Sequence, residues 1–429
     1  MLRWSLVVAA ALSASAHAQD VAPLAVPAQP AARIVATPPD SNVARFYAAR
    51  PATLIWLRDA TSRAAASRLA EILKRAPADG VADGPMLAAS VEAALASGTP
   101  LDDQQISRAW VRYVQALKAP VEGFGFGDPA LQLKAPDATP ILLEALSAPS
   151  LAAHIDAVAN VNPIYSALRA AAIEQGQQDD PRVRATLDRL RLVPGKGRAI
   201  LVDVANAEMM MLQDGQVVDS MKVIVGKQSA QTPLLAGTIH YVTLNPYWHI
   251  PQDVTKRVVA PLVLKRGVSY LKAARYDTVA AFGGDKAVPV DPESIDWKAV
   301  AAGDIEAHVR QRAGGNNMMG KMKFGFVNDQ GIFLHDTPHK NLFAKAKRTL
   351  SLGCVRLEHP ERLATWLLGR DPVPSGDGPE ENVLIAKGVP IYISYLTARP
   401  DGNRVAFATD IYKLDTTEPL ASGTSSAKR

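Results

Sequence analysis

His335 and Cys354 lie 19 positions apart, within Gly331-Ile332-Phe333-Leu334-His335-Asp336-Thr337-Pro338 and Ser351-Leu352-Gly353-Cys354-Val355-Arg356-Leu357. A cysteine thiol is only a few per cent thiolate at neutral pH, so a cysteine nucleophile needs an imidazole or a positive end beside it. His335, closing a run of strand character, can supply that base. Gly353 has no Cβ and permits a tight turn in which the amides of Gly353 and Cys354 converge on a developing oxyanion. Arg356 offers a planar fork to a carboxylate. Other readings of the same residues stay open at this point. A histidine and a cysteine can both be structural. Ser351 can be proposed as the nucleophile, although it lacks the acidity of a thiol and does not occupy the turn. His335 and His339 have the spacing of a helical metal pair, but Pro338 between them opposes a helix and no HExxH motif accompanies them. The reading adopted therefore has no metal and no cofactor.

Cys354 is the single cysteine among 429 residues, which excludes an intramolecular disulfide. Met1-Leu2-Arg3, the apolar run Trp4 to Leu12 and the small-x-small triplet Ala16-His17-Ala18 read as a secretory signal peptide over residues 1–18, too short to span a bilayer. In an oxidising compartment a free thiol is endangered, which favours a thiol kept for chemistry. Lys plus Arg number 47 and Asp plus Glu 42, and a net charge of +5 gives no case for nucleic-acid binding. With 48% hydrophobic and 21% charged residues, the composition excludes wholesale disorder and a polytopic membrane protein.

The elements that must hold His335 and Cys354 follow from periodicity. Residues 19–40 are Ala/Pro-rich and predict an extended linker. Over 41–196 the period is helical: Ile106, Trp110, Tyr113, Val114 and Leu117 recur at steps of three and four, and further helices are expected at 62–74, 85–96, 140–148, 151–161, 163–174 and 182–192. After Pro194-Gly195-Lys196-Gly197 the pattern turns to strands, with Asp214-Gly215 marking a hairpin, and a second hairpin is expected between 390–398 and 404–408 around Asp401-Gly402. Residues 253–317 interrupt the strands with a helix-prone, polar stretch, and 359–369 predicts one helix packed on the sheet. Residues 413–429 predict a disordered tail. The fold class expected is α+β.

The H-D-T-P and S-x-G-C-V-R motifs together resemble the YkuD-type catalytic domain of L,D-transpeptidases. Val225-Gly226-Lys227 with Gln231-Thr232-Pro233, then Asn245-Pro246-Tyr247-Trp248-His249-Ile250-Pro251, Arg310-Gln311, Asn317, Lys323-Phe324 and Asp410-Ile411-Tyr412 resemble the large periplasmic branch typified by YcbB. The resemblance implies a helical scaffold, a β-sandwich-like catalytic domain over 197–412, and 253–317 as a substrate-capping insertion. Two features depart from the pattern: Leu352 stands where many members carry histidine, and only 175–181 occupies the place where long members insert a peptidoglycan-binding module.

What the resemblance further implies is a periplasmic enzyme acting on peptidoglycan tetrapeptide stems, both donor and acceptor. His335, its ring oriented by the main-chain carbonyl of Asp336, takes the proton of Cys354; the thioester formed is resolved by a second stem to give a 3→3 cross-link. Ser351, Tyr247, Trp248, Asn317 and Arg356 are the expected substrate-binding residues. Water as acceptor gives an L,D-carboxypeptidase instead, and an inactive wall-binding scaffold is the non-enzymatic alternative. Other cell-wall synthases are candidate partners.

Overall fold

Helix starts in the N-terminal half are set by capping side chains. Asp59 accepts from the Ser62 amide at 2.7 Å, Thr99 and Asp102 form a reciprocal capping box, and Asn162 accepts from Tyr165 at 2.8 Å. The computed structural model describes residues 40–282, 287–372 and 378–415. The expected signal peptide, almost all of the linker and most of the tail lie outside them. Eight helices result: α1 (Asp40–Ala48), α2 (Ala60–Arg75), α3 (Gly84–Ser97), α4 (Pro100–Leu117), α5 (Ala138–Ser147), α6 (Leu151–Asn160), α7 (Pro163–Glu174) and α8 (Pro181–Leu190). The sequence reading named no helix at α1, which Val43, Phe46 and Tyr47 tie to the core at helical spacing.

Helices α1 to α6 bury one core containing Trp56, Leu69, Ile72, Ile106, Trp110 and Tyr113. Beside it, Asp79 accepts 2.8 Å hydrogen bonds from the Tyr113 hydroxyl, the Tyr165 hydroxyl and the Arg169 guanidinium, all of them buried. The last two partners belong to α7. Helices α7 and α8 turn their own apolar faces, Tyr165, Leu168, Val183 and Leu187, onto the strands that follow.

Those strands are β1 (Gly125–Phe126), β2 (Arg198–Asp203), β3 (Glu208–Gln213), β4 (Gln216–Gly226), β5 (Leu235–Leu244), β6 (Trp248–His249), β7 (Tyr276–Val279), β8 (His308–Gln311), β9 (Met322–Gly325), β10 (Phe333–His335), β11 (Thr349–Ser351), β12 (Val355–Leu357), β13 (Glu381–Ser394), β14 (Ala398–Asp401) and β15 (Arg404–Phe407). In the main sheet the order is β5-β13-β2-β3-β4-β12-β10-β9, and β9 pairs back onto β5. Where a sandwich has two separate sheets, here one sheet closes on itself. Alternation along β2 shows its two faces: Ile200 and Val202 point inward with Met209, Met211, Val223, Leu334 and Val355, while Ala199 and Leu201 face α7 and α8. The helix Pro360–Leu368 adds Leu363, Ala364 and Leu367 to the inner core.

The Asp214-Gly215 turn forms as expected, both residues at positive φ. The second hairpin differs from the expectation. Residues 390–394 continue β13 in the main sheet, pairing with β2 and β5, and the strand opposite β15 is β14, with Pro400 beside Val405 on a two-stranded ribbon that tolerates its missing N–H.

Leu244 of β5 and Met322 of β9 are register partners, and the chain between them leaves the closed sheet and returns. It forms a small unit with its own core of Ile250, Val259, Val263, Leu271, Trp297 and Val309. A three-stranded sheet, β6-β8-β7, lies within it. The sequence reading expected a helix-prone, polar stretch over 253–317 and named no strands there, because strands of two to four residues carry no measurable alternation. No helix among the described residues is long and apolar enough to cross a membrane.

Candidate active site

β10 and β12 are parallel neighbours, with Leu334 opposite Val355 and His335 opposite Arg356. Leu334 and Val355 are fully buried in the inner core, so the alternation of strand side chains sends Phe333, His335 and Arg356 to the opposite face. Lys323 of β9 stands opposite His335 from the other side and joins them. Cys354 immediately precedes β12. The ring of Phe333 meets that of His335 edge-on at 5.7 Å, and the Lys323 ammonium lies 4.7 Å from the centre of the Phe333 ring.

The His335 Nδ1 lies 2.5 Å from the carbonyl oxygen of Asp336. A carbonyl only accepts, so this contact assigns the proton to Nδ1 and leaves the lone pair on Nε2. Burial, followed by the charge of Arg356, pushes the His335 pKa down to about 3; the Asp336 carbonyl opposes this and Lys323 adds to it. Burial pushes the Cys354 thiol up, against a hydrogen bond from the Phe333 amide and the charges of Lys323 and Arg356. The resting pair is therefore a neutral imidazole and a neutral thiol. They are not hydrogen-bonded to each other; the sulfur points toward the Gly331 carbonyl at 3.9 Å. A neutral imidazole is the form able to act as base, and contacts of this kind commonly tighten when substrate binds.

The loop before Cys354 is tied from several sides. Gly353 sits at φ +123°, a conformation that side chains with a Cβ rarely adopt, and its carbonyl accepts from the Thr232 hydroxyl at 2.7 Å. Thr232 in turn accepts from the Gly226 amide at 2.8 Å. Gly226 admits no Cβ, which would fall 2.1 Å from the Ala230 carbonyl. The Tyr412 hydroxyl donates to the Gly226 carbonyl at 2.5 Å and accepts from the Thr232 amide at 3.2 Å, while the Tyr412 amide donates to the Tyr395 hydroxyl at 2.9 Å. Thr232 and Tyr412 are thus positioning residues. The sequence reading quoted both within motifs and gave them no role, since nothing in their types shows that they meet across 180 positions.

The sequence-derived site residues divide. His335, Asp336, Gly353, Cys354 and Arg356 come together. Asp336 contributes its carbonyl to His335, and its buried carboxylate accepts from the Lys321 and Thr337 amides at 2.8 and 2.7 Å and pairs with Lys340 at 2.8 Å. Ser351 does not line the site: it is buried, donates to the Cys354 carbonyl at 2.6 Å and accepts from the Gly353 amide at 3.2 Å. That amide, expected to face an oxyanion, is turned to a side chain of its own loop. Asn317 is also buried, bonded to the carbonyls of Pro246 and Arg312 at 3.0 Å and to the Met319 amide at 2.6 Å, and so knots the return of the inserted unit. Tyr247 carries the Arg310 guanidinium 4.1 Å from its ring centre. Trp248 packs partly against the core of the inserted unit.

A single cysteine at the head of one strand and a carbonyl-oriented histidine on its parallel neighbour define a cysteine–histidine site. Comparison with known proteins narrows this class. Residues 197–375 match the family model of the YkuD L,D-transpeptidase catalytic domain, and residues 41–171 match a model described as a scaffold domain. The chain thus carries a YkuD-type L,D-transpeptidase catalytic domain behind a helical scaffold. A Haemophilus influenzae protein with the curated name "Putative L,D-transpeptidase" is 30% identical over 234 residues, 53% of this chain and 46% of that protein. The chain therefore matches about half the length of this curated relative. Among solved structures, an L,D-transpeptidase from Mycobacterium smegmatis overlays on 46% of this chain and 58% of its own, at 15% identity and a TM-score of 0.24. The Ldtfm–avibactam carbamoyl enzyme overlays on 48% and 50%, at 13% identity and a TM-score of 0.22.

Proposed function

We propose that this protein is a periplasmic L,D-transpeptidase that forms 3→3 cross-links between peptidoglycan stems through a thioester on Cys354. The observation that carries the reading is the pairing of His335, its Nδ1 held by the Asp336 carbonyl, with a cysteine at the head of the neighbouring parallel strand. The Cys354 sulfur attacks the carbonyl of the third residue of a tetrapeptide donor as its proton passes to His335 Nε2. The tetrahedral oxyanion is held by the Cys354 amide. Collapse returns the proton from the imidazolium to the departing D-Ala amine and leaves the thioester. The side-chain amine of an acceptor stem then attacks the thioester, giving up its proton through His335 and releasing the thiol. The two cations near the sulfur favour negative charge as it develops. The unit inserted between β5 and β9 caps the groove, and residues 1–18 direct export. The chain's affinity with the large YcbB-like branch accounts for the scaffold and the cap together.

Purified protein incubated with disaccharide tetrapeptide is expected to release D-Ala and yield 3→3-linked dimers, resolved by mass, with neither product from Cys354→Ala. Tripeptide without dimer would replace transpeptidation by hydrolysis. Neither product from a folded wild type would make the protein a wall-binding scaffold.

A further inference from the structure

In the reaction above Lys323 serves only as one of two cations near the sulfur and is given no contact with the ligand. It stands opposite His335 in the sheet, with its ammonium held over Phe333, the residue whose amide bonds the Cys354 sulfur. Among the described residues no carboxylate pairs with it. On the same face, Arg356 has a buried Nε with no hydrogen-bond partner. From the inserted unit, the buried Nε2 of His249 likewise has none, and His249 lies within the electrostatic reach of Lys323. Buried polar atoms without partners are uncommon in folded proteins, and the Arg356 Nε is one of them, across His335 from the half-buried Lys323. Two cations, Lys323 and Arg356, thus flank His335 on the face that carries the thiol.

We infer that Lys323 is a specificity residue that binds a carboxylate of the ligand beside the attacked carbon, as the second cation of a cradle whose first is Arg356. The inference rests on the proposed function only for the natural ligand, a stem peptide bearing carboxylates on both sides of the scissile carbonyl. The cradle itself is a property of the thiol's surroundings and can be measured without turnover.

Alkylation of Cys354 by iodoacetate and by iodoacetamide provides the test. In both reactions the sulfur displaces iodide from the CH2 carbon to form a thioether, and the thiol proton passes to buffer. The reagents differ in the carboxylate. Rates are followed by intact mass at low ionic strength for the wild type, Lys323→Met and Lys323→Arg. The ratio of iodoacetate to iodoacetamide rates is expected to fall about three- to tenfold in Lys323→Met, to be kept in Lys323→Arg, and to fall in the wild type as salt is added. A parallel drop with both reagents would overturn the proposal, because Lys323 would then act on ionisation of the thiol and not on the ligand. An unchanged ratio would overturn it as well. Loss of the tetrapeptide reaction in the wild type, with the ratio behaving as expected, would refute the proposed function and leave the cradle standing.

Discussion

Around Asp79, two tyrosine hydroxyls and the Arg169 guanidinium fill the carboxylate's hydrogen-bonding positions at 2.8 Å, whereas around His335 the nearest cations, Lys323 and Arg356, face no carboxylate among the described residues. Both clusters are largely removed from water, so the difference lies in what completes them. The Asp79 carboxylate finds its partners within the chain, with only the Arg169 Nε left unbonded, and the cluster joins the scaffold to α7, a helix packed on the closed sheet. The His335 face is left electrostatically incomplete, and after burial its two cations help to keep the imidazole neutral. Paired charge here serves assembly, and under the proposed function unpaired charge serves chemistry.

The comparison can be broken first at His335. Replacing it by Gln removes the proton acceptor, and kcat with tetrapeptide is expected to fall about 10²- to 10⁴-fold with the fold kept. A fall of less than tenfold would place the base elsewhere. In the scaffold, Arg169→Ala leaves the Asp79 carboxylate buried without its cation. It is expected to cost about 3–5 kcal/mol in a denaturant melt, with kcat per folded molecule unchanged. A loss of activity without loss of stability would mean that the Asp79 cluster is not merely structural.

Acid sharpens the same contrast. The folded-state pKa of His335, about 3, lies below the ordinary histidine value of about 6.5. Between those values the unfolded chain binds a proton that the folded chain refuses. The contribution of His335 to stability is therefore full above pH 6.5 and is lost as pH falls toward 3. In paired melts at pH 7 and pH 5, His335→Gln is expected to lose less stability than the wild type across the interval. The smallest effect belongs to Thr232→Val, which removes the hydroxyl bridging Gly226 and Gly353. It is expected to cost about 1–2 kcal/mol of stability and about tenfold in kcat, the second through misplacement of Cys354. An unaltered kcat would show that the β11–β12 loop holds its shape without that bridge.

His335, Cys354 and Arg356 stood out in the sequence because their chemistry is tied to residue type, and the register of β10 and β12 then brings them together. The helical scaffold was legible for a similar reason: period and caps are local. Ser351 and Asn317 show where that legibility stops. A hydroxyl or amide near a nucleophile can serve substrate or backbone, and only the fold reveals that both are spent on carbonyls and amides of their own loops. The closure of the sheet was hidden too, because it depends on Val242 meeting Phe324, a pairing with no signature in either segment. Lys323 was quoted only within a family-like motif and had no role until its register set it beside His335.

Closure has one more consequence, at the pair Leu244 and Met322. The inserted unit departs from and rejoins the barrel at adjacent backbone positions, and its core shares no residue with the barrel's. Beyond that pair it is tied to the host near its two ends, where the Tyr247 amide donates to Glu380 and the Lys321 amide to Asp336. Insertions whose two ends already meet can lengthen, shorten or be exchanged with little penalty to the host. Under the proposed function, selection can therefore recut this unit, and with it the range of acceptors admitted, while the strands that position His335 and Cys354 stay in register.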